Sequence, residues 1–286
     1  MVRHRLPFMG GLATSIGHGS KNINRCGTGT PVPWRMTQHL YILTGATRGM
    51  GRAMAEQLLQ PQHFVLCISR HRDDTLAAQA ANSGSPLEQW PLDLALGAEA
   101  AASLGQWLVA RKTGFFASAT LVNNAGVMQR IAPLSAADPV DLARTLRVSL
   151  EAPLLLTAAF LRATEPWDVP RKVLNISSGL GRRAMASQAA YCAAKAGMDH
   201  FTRCLALEEA LKPHGAKVCA LAPGVIDTDM QVQLRNADPA AFPDHKAFVD
   251  LQAQGQLTTP PVAARQVLAY LARADFGCQP LGDVRG

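Results

Sequence analysis

The stretch that most constrains this chain is TGATRGMG at residues 44–51, because of what flanks it. Residues 39–43 (HLYIL) form a short β-prone run, and RAMAEQLL from residue 52 spaces its apolar residues as a helix does. A strand, a glycine-rich turn and a helix in that order present helix N-terminal amides to a pyrophosphate. Gly45 permits the tight turn, Gly49 lets a ligand backbone approach, and Gly51 lets the helix lie close to the strand, with Thr47, Arg48 and Met50 between them. Glycine turns also serve loops that bind nothing, so the reading depends on the pattern of the rest of the chain.

That pattern is repeated βα alternation. Residues 64–69 (FVLCIS), 89–94 (QWPLDL), 119–123 (ATLVN), 172–176 (KVLNI) and 217–221 (KVCAL) read as strands, separated by segments long enough for helices. Nearly continuous apolar strands between amphipathic helices imply a parallel sheet covered on both faces. The expected fold is α/β: one doubly wound domain over residues 36–286 with about seven strands.

In such a domain a carboxylate that binds a ribose 2′-hydroxyl is expected at the end of the second strand. Here that position reads Ser69 and Arg70. A guanidinium there suits a 2′-phosphate, and Arg48 in the glycine turn can approach the same group. NADP(H) is therefore expected over NAD(H); the alternative is that both arginines are solvated surface cations.

The chemistry-bearing stretch is NISSGLGRRAMASQAAYCAAK, which contains Ser178, Tyr191 and Lys195. Tyr191 and Lys195 are four apart and share one helix face. A phenol with a pKa near 10 is a poor acid-base group at neutral pH, and a neighbouring ammonium is expected to lower it. With Ser178 bonding the same substrate oxygen, this set suits proton donation to a carbonyl as hydride arrives from a nicotinamide. A lone Tyr and Lys at this spacing is more often an exposed pair; the upstream serine and glycine turn set this one apart.

These motifs together resemble the short-chain dehydrogenase/reductase family. TGATRGMG matches its TGxxxGxG turn, residues 123–126 its NNAG, Ser178, Tyr191 and Lys195 its catalytic Ser, Tyr and Lys, and Pro223 with Gly224 its PG. The resemblance covers essentially residue 36 to the end of the chain and implies a Rossmann-type domain that binds NADP(H). It further implies that Asp93 and Leu94 lie at the adenine, Asn124, Ala125 and Gly126 at the cofactor wall, Lys195 at the nicotinamide ribose, and Ile226 and Thr228 at the carboxamide. LALEEAL (205–211), APGVIDTDMQ (222–231) and GQL (255–257) resemble the branch holding sepiapterin reductase and the bacterial benzil reductases, which reduce ketones or vicinal dicarbonyls with NADPH. Sepiapterin reductases anchor the pterin with an acidic residue at the very C-terminus. Here the chain ends GDVRG, and Asp283 is displaced from that place.

A second departure concerns the relay of protons. Where the family commonly places an Asn in the helix after NNAG, VSLEAPLLLT places Ser149. A serine can kink a helix by bonding back to a carbonyl, so slowed rather than abolished turnover is expected, and Ser149→Asn should raise the rate or leave it unchanged. Ser149 is also the one feature supporting a rival reading, an NADP(H)-binding regulatory or scaffold protein with weak or no catalysis.

Helical segments 150–163 and 192–211 are apolar on more than one face. Burial against the sheet explains part of this. The resemblance adds that these helices pair across a two-fold axis, implying a homodimer or homotetramer. Loops 127–134, 179–187 and 225–255 should surround the substrate, the last as a mobile lid or a plain surface insertion. Met128, Leu180, Met185, Met230 and Leu234 would form an apolar pocket, with Arg182 and Arg183 either selecting an acidic substrate or solvated.

Among the 286 residues the net charge is +7, but Arg3, Arg5, Lys21, Arg25 and Arg35 supply five of these charges from a stretch with no acidic residue. No basic and aromatic cluster remains to suit nucleic acid, and no apolar run spans a membrane. Residues 1–35 have little apolar periodicity and are expected to be a disordered extension. Their composition loosely fits a transit peptide, although Met36 leads so directly into the first strand that a start there is the favoured reading. The six cysteines form no CxxC pair and have no histidines at ligand spacing, so no metal is expected. They read as reduced core thiols of a cytoplasmic protein.

Overall fold

The computed structural model describes residues 38–111 and 114–285. The expectations for residues 1–35 and for Met36 lie outside them.

Seven strands, β1 (His39–Thr44), β2 (His63–Ser69), β3 (Leu87–Pro91), β4 (Ser118–Asn123), β5 (Arg171–Ile176), β6 (Lys217–Ala222) and β7 (Leu281–Asp283), form one sheet in the order β3-β2-β1-β4-β5-β6-β7. All neighbours pair in parallel. Because strand order reverses between β1 and β4, the loops leaving their carboxyl ends diverge and open a crevice. The central strands are buried on both faces, which is why they read as unbroken apolar runs rather than alternating ones.

Nine helices cover the sheet among the described residues: α1 (Gly49–Leu58), α2 (Asp74–Ser83), α3 (Gly97–Val109), α4 (Pro139–Leu146), α5 (Ala152–Thr164), α6 (Ala189–Ala210), α7 (Asp229–Arg235), α8 (His245–Ala253) and α9 (Pro260–Ala272). One core, including Leu104, Phe116, Leu121, Leu156 and Phe160, packs α3 and α5 on one face. A second, including Leu43, Met54, Val122, Leu174 and Val267, packs α1 and α9 on the other. Inside the sheet a polar ladder joins the layers: Asn123 Nδ2 donates to Asn175 Oδ1 at 2.8 Å and to Thr157 Oγ1 at 3.0 Å, and Asn175 Nδ2 donates to Thr202 Oγ1 at 2.8 Å. Such bonds relieve the desolvation of amides held between two apolar faces.

Three expectations need correcting. The third strand ends at Pro91 instead of reaching residue 94, since the Asp93 carboxylate accepts the Ala95 amide and starts a 3-10 turn at Leu94–Leu96. Residues 225–255 hold two helices, α7 of 7 residues and α8 of 9, with turns between and around them. The cysteines are only partly core: Cys67 and Cys219 are buried, whereas Cys204 and Cys278 are exposed. Amphipathic α6 presents Cys204 on its outer side, a position that an apolar segment alone does not reveal. No helix among the described residues is long and apolar enough to cross a membrane.

Candidate active site

The crevice is a cavity of about 730 Å³ at the carboxyl ends of the strands. Every residue that the sequence assigned to a cofactor, from Gly45 to Thr228, lines it, as do Ser178, Tyr191 and Lys195. Ser149 does not line it and sits fully buried behind the wall.

The glycine turn is shaped by contact as well as by torsion. Gly45 has φ +72°, a region open to glycine at little cost. A Cβ on Gly51 would overlap the Gly45 carbonyl oxygen and Asn124 Nδ2, so no side chain fits between α1 and the turn. Asn124 locks the same turn, its Nδ2 donating to the Thr44 carbonyl at 2.9 Å and the Gly45 carbonyl at 3.1 Å. Ser69 Oγ accepts the Ala46 amide at 2.8 Å, so this hydroxyl holds the turn from the end of β2. Arg70 is exposed at the rim. Arg48, expected beside it, pairs instead with Asp229 across the crevice at 2.8 Å. Both partners are largely solvated, so the pair is weak and easily exchanged for another anion.

The reactive groups come from two elements. β5 ends at Ile176 and the chain turns through a 3-10 segment at Gly179–Gly181, whose first amides need acceptors; Ser178 Oγ accepts the Leu180 amide at 3.1 Å. Opposite, α6 carries Tyr191 and Lys195 on one face, both almost completely buried. Lys195 Nζ donates to the Ile176 carbonyl at 2.7 Å and stands 5.7 Å from the centre of the Tyr191 ring. The expected lowering of the tyrosine by the lysine is not what this site shows. Burial pushes the Tyr191 phenol up to about 12, against a hydrogen bond with Ser178 that acts the other way. Burial also pulls the Lys195 ammonium down to about 8, opposed by the Asp199 carboxylate. In each group desolvation is the largest cause, acting against the neutral Ser178 hydroxyl at Tyr191 and the Asp199 carboxylate at Lys195.

Ser149 lies in a π-helical turn, Arg147–Glu151, that joins α4 to α5. The irregularity expected there is present, but its cause differs: the hydroxyl does not bond back along its own helix. Ser149 Oγ donates to the Val127 carbonyl at 3.0 Å and accepts the Val127 amide at 3.0 Å. It thereby clamps the loop after NNAG.

On its apolar side the cavity is lined by Met128, Met185, Leu234, Phe248 and Tyr191 itself, which cluster with the fully buried Phe242, and Leu180 and Met230 pack against that cluster. Phe242 and Phe248, which the sequence did not single out, close it from the α7 and α8 segment, their rings stacked with centres 5.7 Å apart. Ser187, also missed, adopts φ +61° just before α6 and donates from Oγ to the Ala241 carbonyl at 2.5 Å. A left-handed serine has no sequence signal, since only the surrounding packing imposes it. Arg183 lines the cavity, whereas Arg182 is tied to Asp199 at 3.3 Å and to the Gly282 carbonyl at 2.8 Å. Asp283 is absent from the lining and bound by Arg285 at 2.7 Å; Arg285 is the lining residue.

Residues 39–239 match the family model described as short chain dehydrogenase. A benzil reductase ((S)-benzoin forming) from Bacillus cereus is 34% identical over 243 residues, covering 85% of this chain and 96% of its own. A sepiapterin reductase from Bos taurus is 29% identical, covering 83% of this chain and 91% of its own. A solved structure from Agrobacterium tumefaciens with bound NADP is 28% identical at a TM-score of 0.70, covering 88% of this chain and 97% of that one. With its sheet order, its glycine turn and these relatives, the chain belongs to the short-chain dehydrogenase/reductase family, on the branch of the benzil and sepiapterin reductases.

Proposed function

We propose that this oxidoreductase is an NADPH-dependent carbonyl reductase, converting a bulky ketone or vicinal dicarbonyl to the alcohol with Tyr191 as general acid. The observation that carries the reading is the position of Tyr191. It belongs both to the polar cavity with Ser178 and Lys195 and to the apolar cluster of Met128, Met185, Leu234 and Phe248. A carbonyl whose apolar body fills that cluster has its oxygen at the phenol.

The cavity suits a dinucleotide in that Gly45, Gly49 and Gly51 line it without side chains and the N-terminal turn of α1 faces the crevice. The glycine turn, Asp93, Leu94 and residues 124–126 would hold its adenosine and pyrophosphate, and Lys195, Pro223, Gly224, Ile226 and Thr228 its nicotinamide end. Arg70 supports the 2′-phosphate, as does the bound NADP in the Agrobacterium tumefaciens structure. When bound, NADPH supplies hydride to the carbonyl carbon. Burial keeps the Tyr191 proton in place at neutral pH, so the phenol is in the donor form that reduction requires. Ser178 orients the substrate oxygen, and the Lys195 ammonium stabilises the phenolate left after the proton is given. Met, Leu and Phe side chains exclude water from that exchange.

A homodimer or homotetramer is part of the same reading: Leu154 on α5, Leu207 on α6 and Leu211 just past its end are 44%, 73% and 87% exposed. Exposed free thiols at Cys204 and Cys278 support a reducing, cytoplasmic setting. The test is NADPH consumption with diketones, aryl ketones, quinones and sepiapterin, with NADH in parallel. Turnover with an aromatic dicarbonyl and NADPH is expected. Tyr191→Phe should bind NADPH normally and lose about 10²- to 10⁴-fold in kcat; retained turnover in that variant would remove Tyr191 as the acid.

A further inference from the structure

On the face of α6 that carries Tyr191 and Lys195, the next residue at four-residue spacing is Asp199, only 4% exposed. A buried carboxylate persists only when it is paired and hydrogen-bonded. Asp199 Oδ1 accepts from Ser177 Oγ at 2.5 Å, and Oδ2 meets Arg182 Nε at 3.3 Å. Ser177 immediately precedes Ser178, while Ile176 before it is gripped by Lys195 Nζ. Two successive positions at the end of β5 are thus fastened to two successive turns of α6. A Cβ on Gly181 would lie 2.9 Å from both Asp199 Oδ2 and the Lys195 carbonyl oxygen, so the turn after Ser178 rests directly on the helix. Through Arg182 and the Gly282 carbonyl the same carboxylate reaches β7.

We propose that Asp199 is a positioning residue: by holding Ser177 and Arg182 against α6 it sets Ser178 in register with Tyr191 and Lys195. This rests on the carbonyl reductase reading for its kinetic consequence, but not for its structural one. The carboxylate also supports the charge on Lys195, which burial opposes. The titratable groups around the pair are Tyr191 on the same helix, Arg182 from the turn and the Cys219 thiol from β6.

Two variants of the full chain test it, Asp199→Asn and Ser177→Ala, each with kcat and KM and with the Lys195 side chain titrated by carbon NMR in the absence of substrate. In Asp199→Asn the Lys195 titration should move to lower pH by roughly one pH unit. kcat should fall about ten- to hundredfold while KM for NADPH stays within about twofold. Ser177→Ala, which keeps the carboxylate, should lower kcat with the Lys195 titration unmoved. An unshifted lysine together with unchanged kcat in Asp199→Asn would reduce Asp199 to a structural ion pair and overturn the proposal. If Asp199→Asn does not fold, unchanged kcat in Ser177→Ala overturns it. A wild-type chain that reduces no carbonyl would defeat the carbonyl reductase reading and with it the kinetic consequence proposed for Asp199, while the lysine titration would still report whether the carboxylate acts on Lys195.

Discussion

At the scale of single residues, burial governs the chemistry. Lys195 is held near 8 by desolvation, so its ammonium is complete below that pH and lost above it. With Tyr191 as the proposed acid, reduction would leave a phenolate for the ammonium to stabilise, so kcat/KM for carbonyl reduction should fall as pH rises through about 8, measured with NADPH saturating. Cofactor choice belongs to this scale too. Arg70 stands at the rim, where a carboxylate would otherwise be expected, and Arg48 is in a solvated pair with Asp229. Arg70→Ala should therefore raise the Kd for NADPH about ten- to hundredfold, in line with a charge-assisted bond, and leave that for NADH unchanged. Fluorescence titration of the two reduced cofactors checks this.

At the scale of elements, the site depends on irregular segments between regular ones. The π turn at Arg147–Glu151 lets α4 and α5 follow the sheet while placing Ser149 against Val127. Ser149→Ala would leave the half-buried Val127 amide and carbonyl without that partner, a cost of about 1 kcal/mol. A lowered Tm by calorimetry is the expected outcome, with slower turnover because the loop after NNAG lines the cavity; an unchanged Tm would mean that the clamp is dispensable. Sequence periodicity identified α5 and α6 and six of the seven strands, because long apolar runs carry a strong signal. It placed β3 too far along, because Pro91 and the Asp93 cap act within a few residues, and it read α7 and α8 as a loop. Those two short helices are stabilised by Leu234, Phe242 and Phe248 packing on Tyr191 and Met185, contacts that join residues some 50 positions apart.

At the scale of the whole molecule, the sheet order brings the turn after β1, the rim of β2 and the ends of β4, β5 and β6 around one crevice. The same packing leaves Leu154 on α5, Leu207 on α6 and Leu211 at its C-terminal cap uncovered. Light scattering should report a dimer or tetramer at micromolar concentration. Leu207→Glu should shift it toward monomer, because burying an unpaired carboxylate in an apolar interface is costly. A wild-type monomer would refute the assembly.

What the chain determines by itself is local and periodic: the glycine turn between strand and helix, the parallel α/β alternation, and a Ser, Tyr and Lys set whose spacing places two members on one helix face. These are legible because they depend on neighbours within about ten residues or on repeats along the chain. Tertiary structure alone decided that burial raises the Tyr191 phenol, that Ser149 reaches Val127, that Arg48 meets Asp229, and that Asp199 fastens Ser177 to α6. Each of these depends on desolvation or on a contact between distant segments, and neither quantity exists until the chain has folded.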